Sequence, residues 1–300
     1  MKKKNESSEQ LNIQLFLLCM LAALLCRRLG KISSLRIICG MLRTMIYVGV
    51  YIGWGISIYK RVIQKSVRNV LIFIAELIIF WFVVRTTKYF FTMDNQIARY
   101  LWYSYYIPML FIPVAVLQAA FFLGKSEEYR LPKWLKGVYI PTAVLVLLVL
   151  SNDLHQLVFS FPAGSAWSDS HYTYGWGYYV VLIWEVVCAL TAFVLMIYKC
   201  RHSQKKKYLP LFGIGAAVLY AVLFISGVAW VQEIGGDITA VLCLLFVGIL
   251  ESCVRCGLIQ TNTGYDQLFE VCTLGAQITD QNYNVCYASA NAMPLSKKTM

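Results

Sequence analysis

Two carboxylates stand inside apolar runs, Glu76 in LIFIAELIIF and Glu185 in VLIWEVVCAL. A charged group near the middle of a membrane helix costs at least about 2.5 kcal/mol, so each needs a partner or a wet cavity. Ligand sensing and hydrogen bonding between helices account for them equally well. Arg85 follows Glu76 by nine residues, about 13 Å along a helix, which favours a snorkelling anchor or a partner on another helix over a Glu76–Arg85 pair. A third constellation is SNDLHQ, with Asn152, Asp153 and His155, followed by the aromatic stretch that holds Trp167, Asp169, His171, Tyr172, Tyr174, Trp176, Tyr178 and Tyr179. Such residues serve either as an aromatic belt at headgroup level or as the polar rim and lid of a small-molecule pocket. Histidine adds the chemistry for a pH response.

The candidates for ligand sensing are therefore Glu76, Arg85, Asn152, Asp153, His155, Trp176 and Glu185. No HExxH, paired-aspartate or GxSxG arrangement accompanies them, so no catalytic residue is named. Cys253 and Cys256 in CVRC have no second ligand pair nearby, and free thiols are the expectation, with no metal and no cofactor.

The elements that must position these residues are membrane helices. Apolar residues make up 59% of the 300-residue chain, charged residues 14%, and mean hydropathy is +0.61, whereas soluble domains carry about 25% charged residues. The net charge of +12 is spread in short runs between apolar segments rather than gathered on one soluble face, which argues against nucleic-acid binding. Seven stretches approach the length needed to cross the hydrocarbon: Leu42 to Tyr59, Val70 to Val84, Leu101 to Leu123, Trp134 to Leu150, Gly175 to Ile197, Tyr208 to Trp230 and Ile238 to Val254. Pro108, Pro113 and Pro141 can kink the third and fourth.

The connections alternate in charge. Lys60, Arg61, Lys65 and Arg68 follow the first span, Lys125, Arg130, Lys133 and Lys136 the third, and Lys199, Arg201 and Lys205 to Lys207 the fifth. Arg85, Lys88 and Arg99 follow the second span, but Ser151 to Tyr174 and Val231 to Asp237 contain no Lys or Arg. The positive-inside rule then predicts a multi-pass plasma-membrane protein with the strongly basic connections and the C-terminus in the cytoplasm and the NDLH connection outside. All ten cysteines fall outside the three exterior connections, so no exterior disulfide is expected. Glu233 and Asp237 suit a helix N-terminus, and Glu251 is read as interfacial.

Both ends differ from this middle. Ile13 to Cys26 is an apolar run preceded by Lys2, Lys3 and Lys4, but Arg27 and Arg28 stand where a signal peptide would have small residues for cleavage. As an eighth span it would leave Arg27, Arg28, Lys31, Arg36 and Arg43 outside, against the charge rule. An interfacial helix, a weak extra span and an extension upstream of a start at Met41 all remain open. After the last span, Tyr265 to Cys272 reads as a short helix, and Ala276 to Thr279 and Asn284 to Ala288 as strands around a turn at Asp280 to Asn282. About 36 residues after Gly264 are too few for an independent domain, and the chain reads as cut inside a cytoplasmic one.

The segments SNDLHQLVFSFP, YGWGYYVVLIW, WFVVRTTKYFF and ARYLWYSYYIPMLFIPV resemble the N-terminal seven-helix region of bacterial sensor histidine kinases, and AQITDQNYNVCYASANA resembles the opening strands of a PAS domain. The expected fold is an all-α polytopic bundle of seven transmembrane helices, with a possible extra N-terminal helix, running into the start of an α/β PAS-like domain. Its expected divisions are an N-terminal extension (1–41), a membrane sensory domain (42–256) and a connector with an incomplete PAS-like segment (257–300). The resemblance implies an input module for an exterior or membrane-embedded stimulus, a homodimer in the lipid bilayer, and a kinase output acting on a response regulator. No phosphoacceptor helix or glycine-rich ATP site is present, so these residues are not expected to be an enzyme. A transporter or channel is the alternative function, although no internal repeat supports it.

Overall fold

A computed structural model describes residues 2–92, 95–125, 129–162, 171–199, 209–229, 231, 238–259, 261, 275, 277–279 and 285–288. The apolar runs form long helices because a helix satisfies every backbone donor and acceptor internally, which hydrocarbon requires. α1 spans Lys2–Leu29, α2 Arg36–Arg61, α3 Lys65–Phe90, α4 Asn95–Tyr103, α5 Tyr106–Phe122, α6 Lys133–Gly137 and α7 Tyr139–Leu150. After the four-residue α8 (Asn152–His155) come α9 (Trp176–Lys199), α10 (Leu209–Ile225) and α11 (Ile238–Arg255). Five described stretches are long and apolar enough to cross a membrane: α2, α3, α4 with α5, α6 with α7, and α9. α10 is a shorter apolar helix, and α11 is 18 residues long.

Two spans are broken, and proline accounts for both breaks. Pro108 has no N–H for the carbonyl of Ser104, four residues earlier, and that carbonyl is taken by Ile107 N–H at 3.2 Å, which tightens the turn between α4 and α5. Pro141 stands in the same relation to Gly137, where α6 gives way to α7. Pro113 lies within an uninterrupted α5.

α1 folds back along α2, with Ala23 buried and Met20 and Tyr47 lining one cavity. Its apolar half runs beside α2. Leu17, Leu18 and Leu21 are exposed on it, as are Ile183, Val187 and Leu190 on α9. A bilayer would cover such residues.

The buried side chains form two clusters. The larger joins α2, α3, the second half of α5, α9 and α11 around Tyr51, Leu71, Phe82, Met196 and Leu250. The smaller lies between the end of α4, α5, α7, α9 and the connection after α8, around Tyr103, Leu110, Val149 and Phe159. At that end, β1 (Phe159–Ser160) pairs antiparallel with β2 (Thr173–Tyr174). Near the C-terminus, β3 (Gln277–Thr279) pairs antiparallel with β4 (Val285–Ala288), the two strands expected there. The helix expected at Tyr265 to Cys272, and Trp167, Asp169, Glu233 and Asp237, lie outside the described residues.

Candidate sensory site

The connection from α8 to β1 is held by one fully buried side chain. Asn152 Oδ1 accepts the backbone N–H groups of Val158 and Phe159, both at 3.0 Å, and Asn152 Nδ2 donates to the Phe159 carbonyl at 2.8 Å and to the Tyr103 hydroxyl at 3.2 Å. Asparagine carries both an acceptor and a donor at the end of a short side chain, so it closes this loop where Asp, Ser or Leu would leave groups unmatched. The same loop is gripped at the start of α9, where Gly175, the residue before the helix, donates its N–H to the Val158 carbonyl at 2.9 Å and Gly177 donates its N–H to the Leu157 carbonyl at 3.0 Å. A Cβ on Gly175 would stand 2.1 Å from the Leu157 carbonyl oxygen, and one on Gly177 3.0 Å from it. The NDLH and YGWG segments are thus two sides of one joint.

Asp153 faces the other way. Its Oδ1 accepts the Tyr103 hydroxyl at 2.7 Å, and its Oδ2 pairs with Arg99 at 2.7 Å. Tyr103 therefore accepts from Asn152 while donating to Asp153, and the chain Arg99–Asp153–Tyr103–Asn152 ties α4 to α8. Around it the rings of Trp102, Tyr103, Tyr106, Tyr172, Tyr174 and Tyr178 all lie within 6.2 Å of the Phe159 ring centroid. Aromatic pairs at such spacing add about 0.5–1.5 kcal/mol each beyond area burial.

His155 supports this cap rather than lining it. Its Nδ1 accepts Leu157 N–H at 3.0 Å, and its Nε2 lies 3.1 Å from the Leu148 carbonyl and 3.3 Å from Ser151 Oγ. Those partners require the neutral tautomer with the proton on Nε2. The turn is completed by Gln156, at φ +48°.

The other expected residues lie elsewhere. Trp176 is exposed at the first position of α9. Glu185 is on α9 within electrostatic reach of Tyr106 and Tyr178, and its Oε1 is buried with no hydrogen-bond partner among the described residues. Beside it, Trp184 Nε1 donates to the buried Thr142 Oγ1 at 3.1 Å. Glu76 is exposed on the outer side of α3, midway along the helix, whereas Arg85 is buried and stacks over Tyr89. Of the seven candidates, Asn152, Asp153 and His155 come together, and Glu76, Arg85, Trp176 and Glu185 do not join them.

A second polar cluster, at the opposite end of the bundle, was not legible in the sequence. Glu251 on α11 accepts both terminal nitrogens of Arg61 on α2, at 2.8 and 2.7 Å, together with Arg255 Nε at 3.0 Å and Trp54 Nε1 at 3.3 Å. The fork-to-fork Arg–carboxylate pair fixes orientation as well as charge. Below it, Ile259 N–H returns to the Cys253 carbonyl, and Val62 forms a bridge with Thr261.

The family model of the N-terminal 7TM region of histidine kinase matches residues 15–254. The chain belongs to this family. It is a seven-transmembrane sensory region of a histidine kinase, a membrane component of signal transduction, and the match takes in both the cap and the Arg61–Glu251 pair. Comparison with curated proteins and with solved structures gave no match. Within the sensory region the cap joins α4, α5, α8, β1 and α9 at one end, and Glu251 joins the last helix to α2 at the other.

Proposed function

We propose that the aromatic cap receives the stimulus and that α11 carries the response out of the membrane. The observation that supports this is the joint itself, in which Asn152, Gly175 and Gly177 make the α8–β1 connection and α9 move together, so a ligand that displaces the loop displaces a spanning helix. The charge pattern of the connections supports a bacterial plasma-membrane protein with the cap outside and the end of α11 in the cytoplasm. On this reading residues 1–41 are an N-terminal extension, 42–256 the sensory domain, and 257–300 the connector, whose β3–β4 hairpin begins a PAS-like domain. The working form is a homodimer whose kinase domains phosphorylate a response regulator. Glu185 and the polar rim at Asp153 and Arg99 are the groups that meet a ligand, while His155 and Asn152 shape the loop.

Replacing Asp153 with Asn in a full-length kinase carrying this region, and measuring stimulus-dependent phosphotransfer, tests the reading. Loss or constitutive activation with unchanged membrane abundance is expected. A normal response from both Asp153→Asn and Arg99→Gln would overturn it. Reporter fusions at residues 156 and 256 test the orientation separately.

A further inference from the structure

Glu76 is exposed midway along α3, on the side turned away from the bundle. At 1.5 Å per residue it lies about 16 Å along the axis from Lys65 and about 21 Å from Phe90, too far for its short side chain to reach either helix end. Among the described residues of the five membrane-length stretches it is the one exposed carboxylate, and its side chain has no hydrogen bond or ion pair. Lipid tails offer neither donor nor acceptor, so a carboxyl group facing them is costly whether or not it keeps its proton. Something other than lipid must cover it.

The residues around it can seat another helix. Asn69, Phe73, Glu76, Phe80, Val83 and Thr87 follow one another by steps of four, three, four, three and four, and all but the half-buried Thr87 are exposed. That repeat suits a left-handed pair of helices crossing at about 20°. Any outward face repeats at nearly this spacing; what singles this one out is the carboxyl group at its centre and the amide of Asn69, whose side chain also makes no hydrogen bond among the described residues. The opposite face of α3, with Leu71, Ile74, Ile78 and Phe82, is packed in the larger buried cluster.

A second copy of this chain is the occupant that fits. All copies cross a membrane in the same direction, so the α3 helices of two copies related by a twofold axis along the membrane normal run parallel, and a residue near the axis meets itself. A carboxylic acid both donates and accepts, so another carboxylic acid completes it, and one carboxamide completes another in the same way. We propose that the outer face of α3 is the membrane seam of a dimer, in which Glu76 of one copy is hydrogen-bonded to Glu76 of the other and Phe73, Phe80 and Val83 pack above and below that contact. The proposal rests on the homodimer put forward above and assigns the contact that forms it within the bilayer. Thr44 and Thr86, 2.9 Å apart, tie α3 to α2, and Arg61 and Glu251 tie α2 to α11, so the seam and the helix that leaves the membrane share one neighbour.

The test uses the full-length protein in bacterial membranes with the photo-cross-linking residue benzoylphenylalanine in place of Phe73, Phe80 or Val83, and in place of the exposed Ile183 or Val187 on α9 as controls. Covalent dimers are expected at the three α3 positions, at least fivefold above the yield from α9. Glu76→Gln, which keeps a donor and an acceptor, should retain them, and Glu76→Leu should lower the yield at least threefold at unchanged membrane abundance. Step photobleaching of a fluorescent C-terminal fusion in the same membranes counts copies independently. Two-step bleaching with no cross-link from α3 would overturn the seam and leave the homodimer standing, whereas single-step bleaching would overturn both. Cross-links from α3 to a different protein, with none between copies, would replace the second copy by a partner helix and overturn the proposal. Yields that Glu76→Leu leaves unchanged would overturn it as well.

Discussion

Asn152 and Gly175 hold Val158 from opposite sides. The asparagine Oδ1 accepts its N–H at 3.0 Å, and the glycine N–H donates to its carbonyl at 2.9 Å. Neither bond is replaceable by the other, because each satisfies a different half of the same buried peptide pair. The joint therefore depends on both segments at once, although they are separated by more than twenty residues.

Asn152→Ala leaves the Val158 and Phe159 N–H groups without their acceptor. At about 1–3 kcal/mol for each buried unsatisfied group, a loss of roughly 3 kcal/mol is expected. Asn152→Asp keeps the acceptor but loses the donor to the Phe159 carbonyl, so it should fall between wild type and Ala. Thermal unfolding in a fixed detergent checks the order, and an Asp variant less stable than Ala would contradict it.

Gly175→Ala should be more damaging than Gly177→Ala. The added methyl at 175 meets a backbone carbonyl at 2.1 Å, where no side chain can turn aside, whereas at 177 it meets the same carbonyl at 3.0 Å. Overpacking typically costs about 1–3 kcal/mol, with the larger value expected at 175. Melting temperatures of the two single variants, measured side by side, decide the matter.

Breaking the Arg61–Glu251 pair should release α11 from α2. Glu251→Ala leaves Arg61 without its bidentate acceptor, and about 1–3 kcal/mol of local stability should go with it. Hydrogen exchange near residues 251–259 should rise. The exchange of charges, Arg61→Glu with Glu251→Arg, should restore part of the protection, and failure of every such double variant would argue against a direct pair.

Glu185→Gln replaces a buried ionisable group at nearly constant shape. Since Oε1 has no hydrogen-bond partner among the described residues, the substitution should leave stability equal or raise it by about 1 kcal/mol. If Glu185 meets a ligand, the stimulus response of the full-length kinase should fall in the same variant. A destabilised protein would indicate that the carboxylate binds another helix instead.

The spans were legible because hydrocarbon imposes length and composition, and the break before Pro108 follows from one missing N–H. α3 nonetheless reaches Phe90, beyond the expected end at Val84, because Arg85 and Lys88 are buried beside Tyr89 rather than lost to water. Asn152, Asp153 and His155 stood out as polar residues in an apolar chain, but their partners did not. Tyr103 lies 50 positions from Asp153, and Arg61 lies 190 from Glu251, so nothing in local spacing connects them. Glu251, expected at the interface, is also the best-connected carboxylate among the described residues. The glycines of YGWG carry no side chain whose chemistry could be read, and only the approach of Leu157 reveals their role.

Lys199, at the far end of α9, donates to the carbonyls of Ala120 and Phe121 at 2.9 and 2.7 Å, covering the open C-terminal end of α5. The other ends of these two helices meet at the rings of Tyr106, Phe159 and Tyr178. Fastened top and bottom and packed against each other between, α5 and α9 form a strut of fixed length. Sliding one along the other would break both fastenings together, so a displacement of α9 is expected to carry α5 with it rather than to run as a piston stroke between them.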